Sequence, residues 1–303
     1  MNFEDNTTKA KYDFIVESEL RHNLRYAGRK NIVFVEGDDD EMIYNTVYKK
    51  EDLYNIVFVD VSLAAKKTGG CKEVKDILIA CVEKFPNEKR FYGVIDRDLK
   101  TDQEVKTEME ESCYDSRLFI FFERYTLENY FIEIEVLYEF LRGQSSRYKR
   151  LKPLLEKGKE NFEKEVIASI LTCLASIAAA NLSIRNFNPS ENFLELRDTI
   201  PCEEDVIRKA IVQKLEQPEI SEEHVSSKFL EFKNNIIEKK EAQKFASAKK
   251  YLDHQFEYML KKIVGTKVSI NLNHHKSELA RILKEQGLPK DFNDLLRLIS
   301  QPN

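Results

Sequence analysis

The sequence predicts an α/β domain built on a parallel sheet, followed by an all-α helical domain. Three observations carry that reading. Four short runs rich in β-branched and aromatic residues lie in the first 130 positions, and segments of helical periodicity separate the first three. Such runs bounded by turn residues read as strands covered on both faces, and helical connections suit parallel strands. Beyond about Ile132 the strand-like runs stop and helix-forming stretches take over.

The elements follow in order. Thr8 to Tyr26 has Phe14, Ile15, Leu20 and Leu24 at roughly helical spacing. Asn31–Val35 (NIVFV), between Gly28 and Gly37, reads as the first strand. Met42, Ile43, Val47 and Tyr48 then form a helical stripe. Asn55–Val61 (NIVFVDV) repeats the strand signature, and Thr68-Gly69-Gly70 precedes a helix over 72–85 that Pro86-Asn87 breaks. Arg90–Ile95 (RFYGVI) and Arg117–Glu123 (RLFIFFE) are the third and fourth strands. The expected helices of the second half are Glu133–Leu141, Asn161–Ser183, Glu203–Leu215, Ser226–Val264, His275–Glu285 and Asp291–Ser300. The expected domains are therefore 1–140 and 141–303.

Composition narrows the class. The 303 residues are 42% hydrophobic and 33% charged with a net charge of −5, which excludes a uniformly basic coat protein but leaves room for a local basic channel. The five cysteines include no C-x-x-C pair, so zinc ribbons and disulfide frameworks are not expected and reduced, scattered thiols are. The N-terminal residues lack the pattern of a signal peptide. The most apolar window, Val166–Ala180, falls short of the ~20 residues a spanning helix needs and reads as a buried core helix, so a soluble, cytoplasmic protein without membrane contact is expected.

The chemistry is concentrated in acids at strand ends. Glu36 follows the first strand, and Gly37 lets the chain turn there. Asp38, Asp39 and Asp40 open a helix, where acidic residues complement the dipole. Asp40, four residues past Glu36, is equally compatible with capping and with returning to the same cleft. Asp96 and Asp98 follow the third strand and, in extended chain, face one side. Several carboxylates at neighbouring strand ends are hard oxygen ligands for Mg²⁺ or Mn²⁺, and parallel α/β sheets bind ligands beyond these ends.

The motifs Val33-Phe34-Val35-Glu36-Gly37 with Asp40, then Val94-Ile95-Asp96-Arg97-Asp98, resemble the TOPRIM domain of topoisomerases, DnaG-type primases and OLD-family nucleases over residues 30–130. Thr68–Val74 (TGGCKEV) is similar to the glycine-containing turn of OLD-type members, and Leu127-Glu128-Asn129 to their downstream L-E-N element. The layout resembles the toxin subunits of PARIS anti-phage systems. The resemblance implies a metal-dependent nuclease with catalytic Glu36, Asp96 and Asp98, and a metal set of Glu36, Asp40, Asp96, Asp98 and Glu128. It further implies a toxic role held in check by an ABC-type ATPase subunit, a homodimer when active, and tRNA as substrate. An OLD-type DNA nickase and a non-catalytic assembly module are the alternatives. Glu128 also fits an ordinary helix-start glutamate.

Lys72, Arg97 and Arg124 are candidate cations for a scissile phosphate, against the plainer reading of surface charge. Arg147, Lys149 and Arg150, around Tyr148, and the stretch Lys239–Tyr251 combine basic and aromatic residues suited to looped or single-stranded nucleic acid, or form solvated helix faces. No P-loop motif is present, so ATP hydrolysis is not expected of this chain.

Overall fold

The computed structural model describes residues 27–62, 70–188, 203–215 and 221–300, together with Ser18, His22 and Arg25. The expected helix over 8–26 falls largely outside these residues, as do Thr68, Gly69 and Cys202. The chain forms two compact units. One comprises the segments up to Asp96, Lys100–Phe122 and from Gly287 on; the other comprises Arg97–Leu99 and Glu123–Gln286.

In the first unit β1 (Asn31–Val35) leads through α1 (Asp38–Val47) to β2 (Ile56–Asp60), then α2 (Cys71–Lys84), β3 (Phe91–Ile95), α3 (Asp102–Met109) and β4 (Leu118–Ile120). All pairings are parallel and the strand order is β2-β1-β3-β4. All four expected runs form strands: the first keeps its expected bounds, and the other three are trimmed by one to three residues at one or both ends. Every residue of β3 is buried, because helices cover both faces of this interior strand. Gly93 is required there: a Cβ would stand 3.0 Å from Val74 Cγ1 and 3.2 Å from Leu78 Cδ2, so its absence lets α2 lie close on β3.

On one side of the sheet Ile32, Phe34, Phe91 and Ile95 pack with Val74, Ile77, Leu78 and Cys81 of α2. Elsewhere in this unit Tyr44 stacks on Phe58 with centroids 4.7 Å apart, and Tyr48 stacks on the same ring at 5.9 Å. Four acids, Asp38 to Glu41, fill the first turn of α1, the favourable end of its dipole. A capping box between Thr101 and Glu104 fixes the start of α3.

The helical unit contains α4 (Ile134–Gln144), α5 (Ala168–Phe187), α6 (Glu204–Leu215), α7 (Glu222–Lys239), α8 (Phe256–Val264) and α9 (Lys276–Gln286), with several shorter helical turns between α4 and α5 and between α7 and α9. Helix α5 extends a helical run that begins at Lys159. By length and composition this 29-residue run could cross a membrane, but 67% of its apolar window is buried within the protein, as a core helix requires. The expected single helix over 226–264 is interrupted. Lys240 adopts a left-handed φ of +57° that caps α7, and short pieces follow before α8.

Leu127-Glu128-Asn129 forms a buried 3₁₀ turn over Leu127–Ile132. The Asn129 amide is a clamp: its nitrogen donates to the carbonyls of Gln243 and Ala246, and its oxygen accepts from Thr126 and from the Ala248 amide. Cys71, Cys81 and Cys113 are free thiols, as expected, whereas Cys173 is disulfide-bonded.

A final helix, α10 (Lys290–Ser300), returns to the sheet unit, so the boundary expected near 140 does not divide the chain cleanly. The physical reason is its amphipathic face. Phe292 packs against Tyr44, Tyr48 and Phe121; Tyr48 Oη donates to the Phe292 carbonyl at 2.8 Å; Asn31 donates to the Ile299 carbonyl; and buried Asp291 accepts the Phe122 amide.

Candidate metal centre

The strand order places β1 and β3 side by side at the centre, and the connection from β1 runs toward the β2 edge while that from β3 runs toward the β4 edge. The crevice beyond the carboxyl ends of β1 and β3 is thus a topological switch point. Glu36 and Asp96 are the residues that leave these two strands.

Glu36 is the hub. Its Oε1 accepts the Asp96 backbone amide at 2.8 Å and the Cys71 thiol at 3.0 Å, and its own carbonyl accepts the Gly70 amide at 3.1 Å. The ends of β1 and β3 and the start of α2 therefore meet at one carboxylate. Gly70, at φ +107°, supplies the turn into α2 that an L side chain would strain.

Asp40 reaches the same end. The buried Tyr44 phenol is pushed well above its ordinary pKa, first by burial and then by the negative charges of Asp40, Asp96 and Glu36, with neighbouring Tyr48 contributing. Three of the expected acids thus act on one hydroxyl from two strand ends and the first turn of α1. A fourth acid joins the row. Asp60 ends β2 in register with Val35, is buried, and accepts both the amide and the hydroxyl of Ser62. Glu41 in turn accepts the Asp60 amide.

The sequence reading missed Tyr44, Asp60 and Cys71. The signals were present: Tyr44 lies one helical turn from Asp40, Asp60-Val61-Ser62 is a side-chain-to-backbone turn at a strand end, and Cys71 sits inside the TGGCKEV segment.

The remaining expected residues have other surroundings. Asp96 and Asp98 do not form an extended pair. The strand ends at Ile95, and Asp98 takes a left-handed φ of +54°, which aspartate tolerates better than most residues. The amides of Arg97 and Asp98 both donate to the Tyr125 carbonyl. Arg97, expected to be available to a phosphate, is fully buried with its guanidinium over the Phe245 ring, which removes it from any surface contact. Arg124 pairs with Glu133 at 2.6 Å and lies over Tyr130. Glu128 is buried and bound to the equally buried Lys276 at 2.9 Å, with Lys249 at 4.0 Å. Its carboxylate is already neutralised within the helical unit, an arrangement that explains the residue without a metal. Lys72 is exposed in the first turn of α2, next to Cys71.

Among the described residues, no group of three or more His, Cys, Asp or Glu side chains is gathered tightly enough to hold a metal ion. The donor chemistry of Glu36, Asp40 and Asp96 nevertheless suits a hard divalent cation, since all three offer carboxylate oxygen at one sheet end. No family model matches the chain, and no curated protein matches it significantly.

Proposed function

We propose that the chain is a divalent-cation-dependent endonuclease of the TOPRIM, OLD-like type. The observation that supports the reading is the hydrogen bond from the Asp96 amide to Glu36 at the switch point, which joins two acidic strand ends 60 residues apart in sequence. Asp96 and Asp40 would hold Mg²⁺ or Mn²⁺, and Glu36 would orient a water and take its proton. A bound divalent cation would supply Lewis acidity to the scissile phosphate. Lys72, exposed beside this end, would receive a phosphate oxygen.

In the cell we propose a cytoplasmic toxic effector of anti-phage defence. An ABC-type ATPase partner restrains it, and the released chain acts as a homodimer on tRNA; DNA is the alternative substrate. The test is cleavage of tRNA and of supercoiled plasmid by purified chain in Mg²⁺ or Mn²⁺, beside Glu36→Gln and Asp96→Asn. Loss of tRNA cleavage in both variants supports the proposal, plasmid nicking with intact tRNA selects the DNA nickase, and equal activity in all three proteins overturns the assignment of the site.

A non-catalytic assembly module is the second reading. It is favoured by the engagement of Glu36 Oε1 with the Asp96 amide and the Cys71 thiol, contacts that by themselves account for a structural carboxylate. Full toxicity of an Asp96→Ala, Asp98→Ala double variant would decide for it.

A further inference from the structure

We propose that the helical unit carries a binding face for single-stranded nucleic acid, built where the Arg147–Lys152 turn meets the end of α8. The inference deepens the nuclease reading by locating a substrate contact, and rests on that reading for its biological meaning. The two segments, RYKRLK and YMLKKIVGTK (Tyr258–Lys267), contain seven Lys and Arg and no Asp or Glu in a chain whose net charge is −5. The first was visible in the sequence; the second gains meaning only from its position.

The segments touch. Tyr148 Oη donates to the Ser269 carbonyl at 2.7 Å. Arg150 lies against Gly265, where a Cβ would come within 2.6 Å of its guanidinium. A hollow of about 310 Å³ is lined by Arg150, Leu154, Ile263 and Val264 together with Lys157 and Glu165, which neutralise each other in an ion pair at 2.9 Å.

The charge is not cancelled locally. Lys261 pairs with Glu257 at 2.5 Å. Among the described residues, Arg147, Lys149, Arg150, Lys152, Lys262 and Lys267 have no carboxylate within ion-pair distance, and all six are exposed. The other lysine-rich stretch differs: Lys244 pairs with Glu241, and Lys249 approaches Glu128. Clustered, uncompensated cations attract a polyanion through counterion release.

Aromatic rings favour nucleic acid over other polyanions. Tyr258 is 46% exposed with Lys262 Nζ 4.7 Å from its centroid, and Arg147 lies 5.3 Å from the Tyr148 centroid. A ring beside a cation offers stacking to a base and charge to its phosphate, which suits unpaired bases better than a duplex. An anionic membrane would call for large apolar side chains here, but Val206, Leu230 and Ile237 are exposed on α6 and α7 instead.

The experiment measures binding of the full chain to labelled single-stranded RNA and DNA of roughly 20 nucleotides, enough to exceed the site of one domain, in EDTA across a salt series. A hairpin-free duplex and phosphatidylserine vesicles are run in parallel. Arg150→Glu, Lys262→Glu, Lys267→Glu together should weaken single-strand binding at least tenfold and flatten the log–log salt slope by about 2, at ~0.7 per lost phosphate contact. Tyr258→Ala should weaken single-strand binding several-fold while leaving duplex binding unchanged. Should the triple reversal fail to fold by circular dichroism, the Lys262→Ala, Lys267→Ala pair carries the same test. Unchanged binding in these variants, or vesicle binding without oligonucleotide binding, overturns the proposal. Because EDTA withholds divalent cations, binding is read without cleavage, and failure of the nuclease assay leaves this result intact.

Discussion

The Asp96 amide donates to Glu36 Oε1 across 2.8 Å, so the backbone at the end of β3 is fixed by the side chain at the end of β1. This contact makes Glu36 both a structural acceptor and a candidate participant in chemistry. The two roles separate by substitution. Glu36→Ala leaves the Asp96 amide without its acceptor and should lower stability by roughly 1–3 kcal/mol. Glu36→Gln keeps an oxygen in place and should melt near the wild type, yet lose cleavage as completely as Glu36→Ala. Thermal melts beside the tRNA assay read both effects; a fully active Gln variant would remove the charge from the mechanism.

Gly93→Ala should destabilise the sheet unit by about 1–3 kcal/mol, the usual range for overpacking. The added methyl meets Val74 Cγ1 and Leu78 Cδ2. Urea denaturation measures the loss, and adding Val74→Ala should make the double variant less destabilised than the sum of the two single changes, because the colliding atom is gone.

The Glu128–Lys276 pair should behave as a buried salt bridge. Glu128→Ala strands an ammonium that is 4% exposed and should cost about 3–5 kcal/mol, whereas Glu128→Met with Lys276→Met should lie much closer to the wild type. Denaturation with and without Mg²⁺ checks the same residue as a ligand: a metal-dependent stabilisation that vanishes in the double variant would restore Glu128 to the metal set.

Acid should weaken the sheet unit at the end of β3 away from the acidic cluster. The Arg90 side chain, bonded to Glu88, holds the Glu88 carboxyl below its usual range, and Lys89 does the same for Asp115. A depressed folded pKa gives stability that is present above the unfolded value, near 4, and is lost as pH falls through the folded one. The stability difference between wild type and Glu88→Gln, measured by urea titration, should therefore shrink between pH 6 and pH 3. A constant difference would show that the Arg90 contact contributes through packing alone.

The strands were legible because NIVFV, NIVFVDV, RFYGVI and RLFIFFE each need cover on both faces. The acids Glu36 and Asp96 were legible because they follow such runs directly. Strand order was not, since local pattern says nothing about which strand is central; yet that order makes the β1 and β3 ends a switch point. Arg97 between two aspartates looked solvated, but the left-handed turn at Asp98 and the Phe245 ring account for its burial. The break at Lys240 carries no glycine or proline signal, so the pattern ran on as one helix. Helix α10 read correctly as a helix and was assigned to the wrong unit, because its partners Tyr44, Tyr48 and Phe121 lie some 170 to 250 positions upstream.

That late-arriving helix bears on how the protein is made. While a ribosome is still reading the middle of the message, the nascent strands lack Phe292 to cover their tyrosines and Asp291 to accept the Phe122 amide. The acid-bearing unit can therefore close only after residues 290–300 have been made, so chains stopped before Phe292 should be protease-sensitive fragments with an uncovered sheet face.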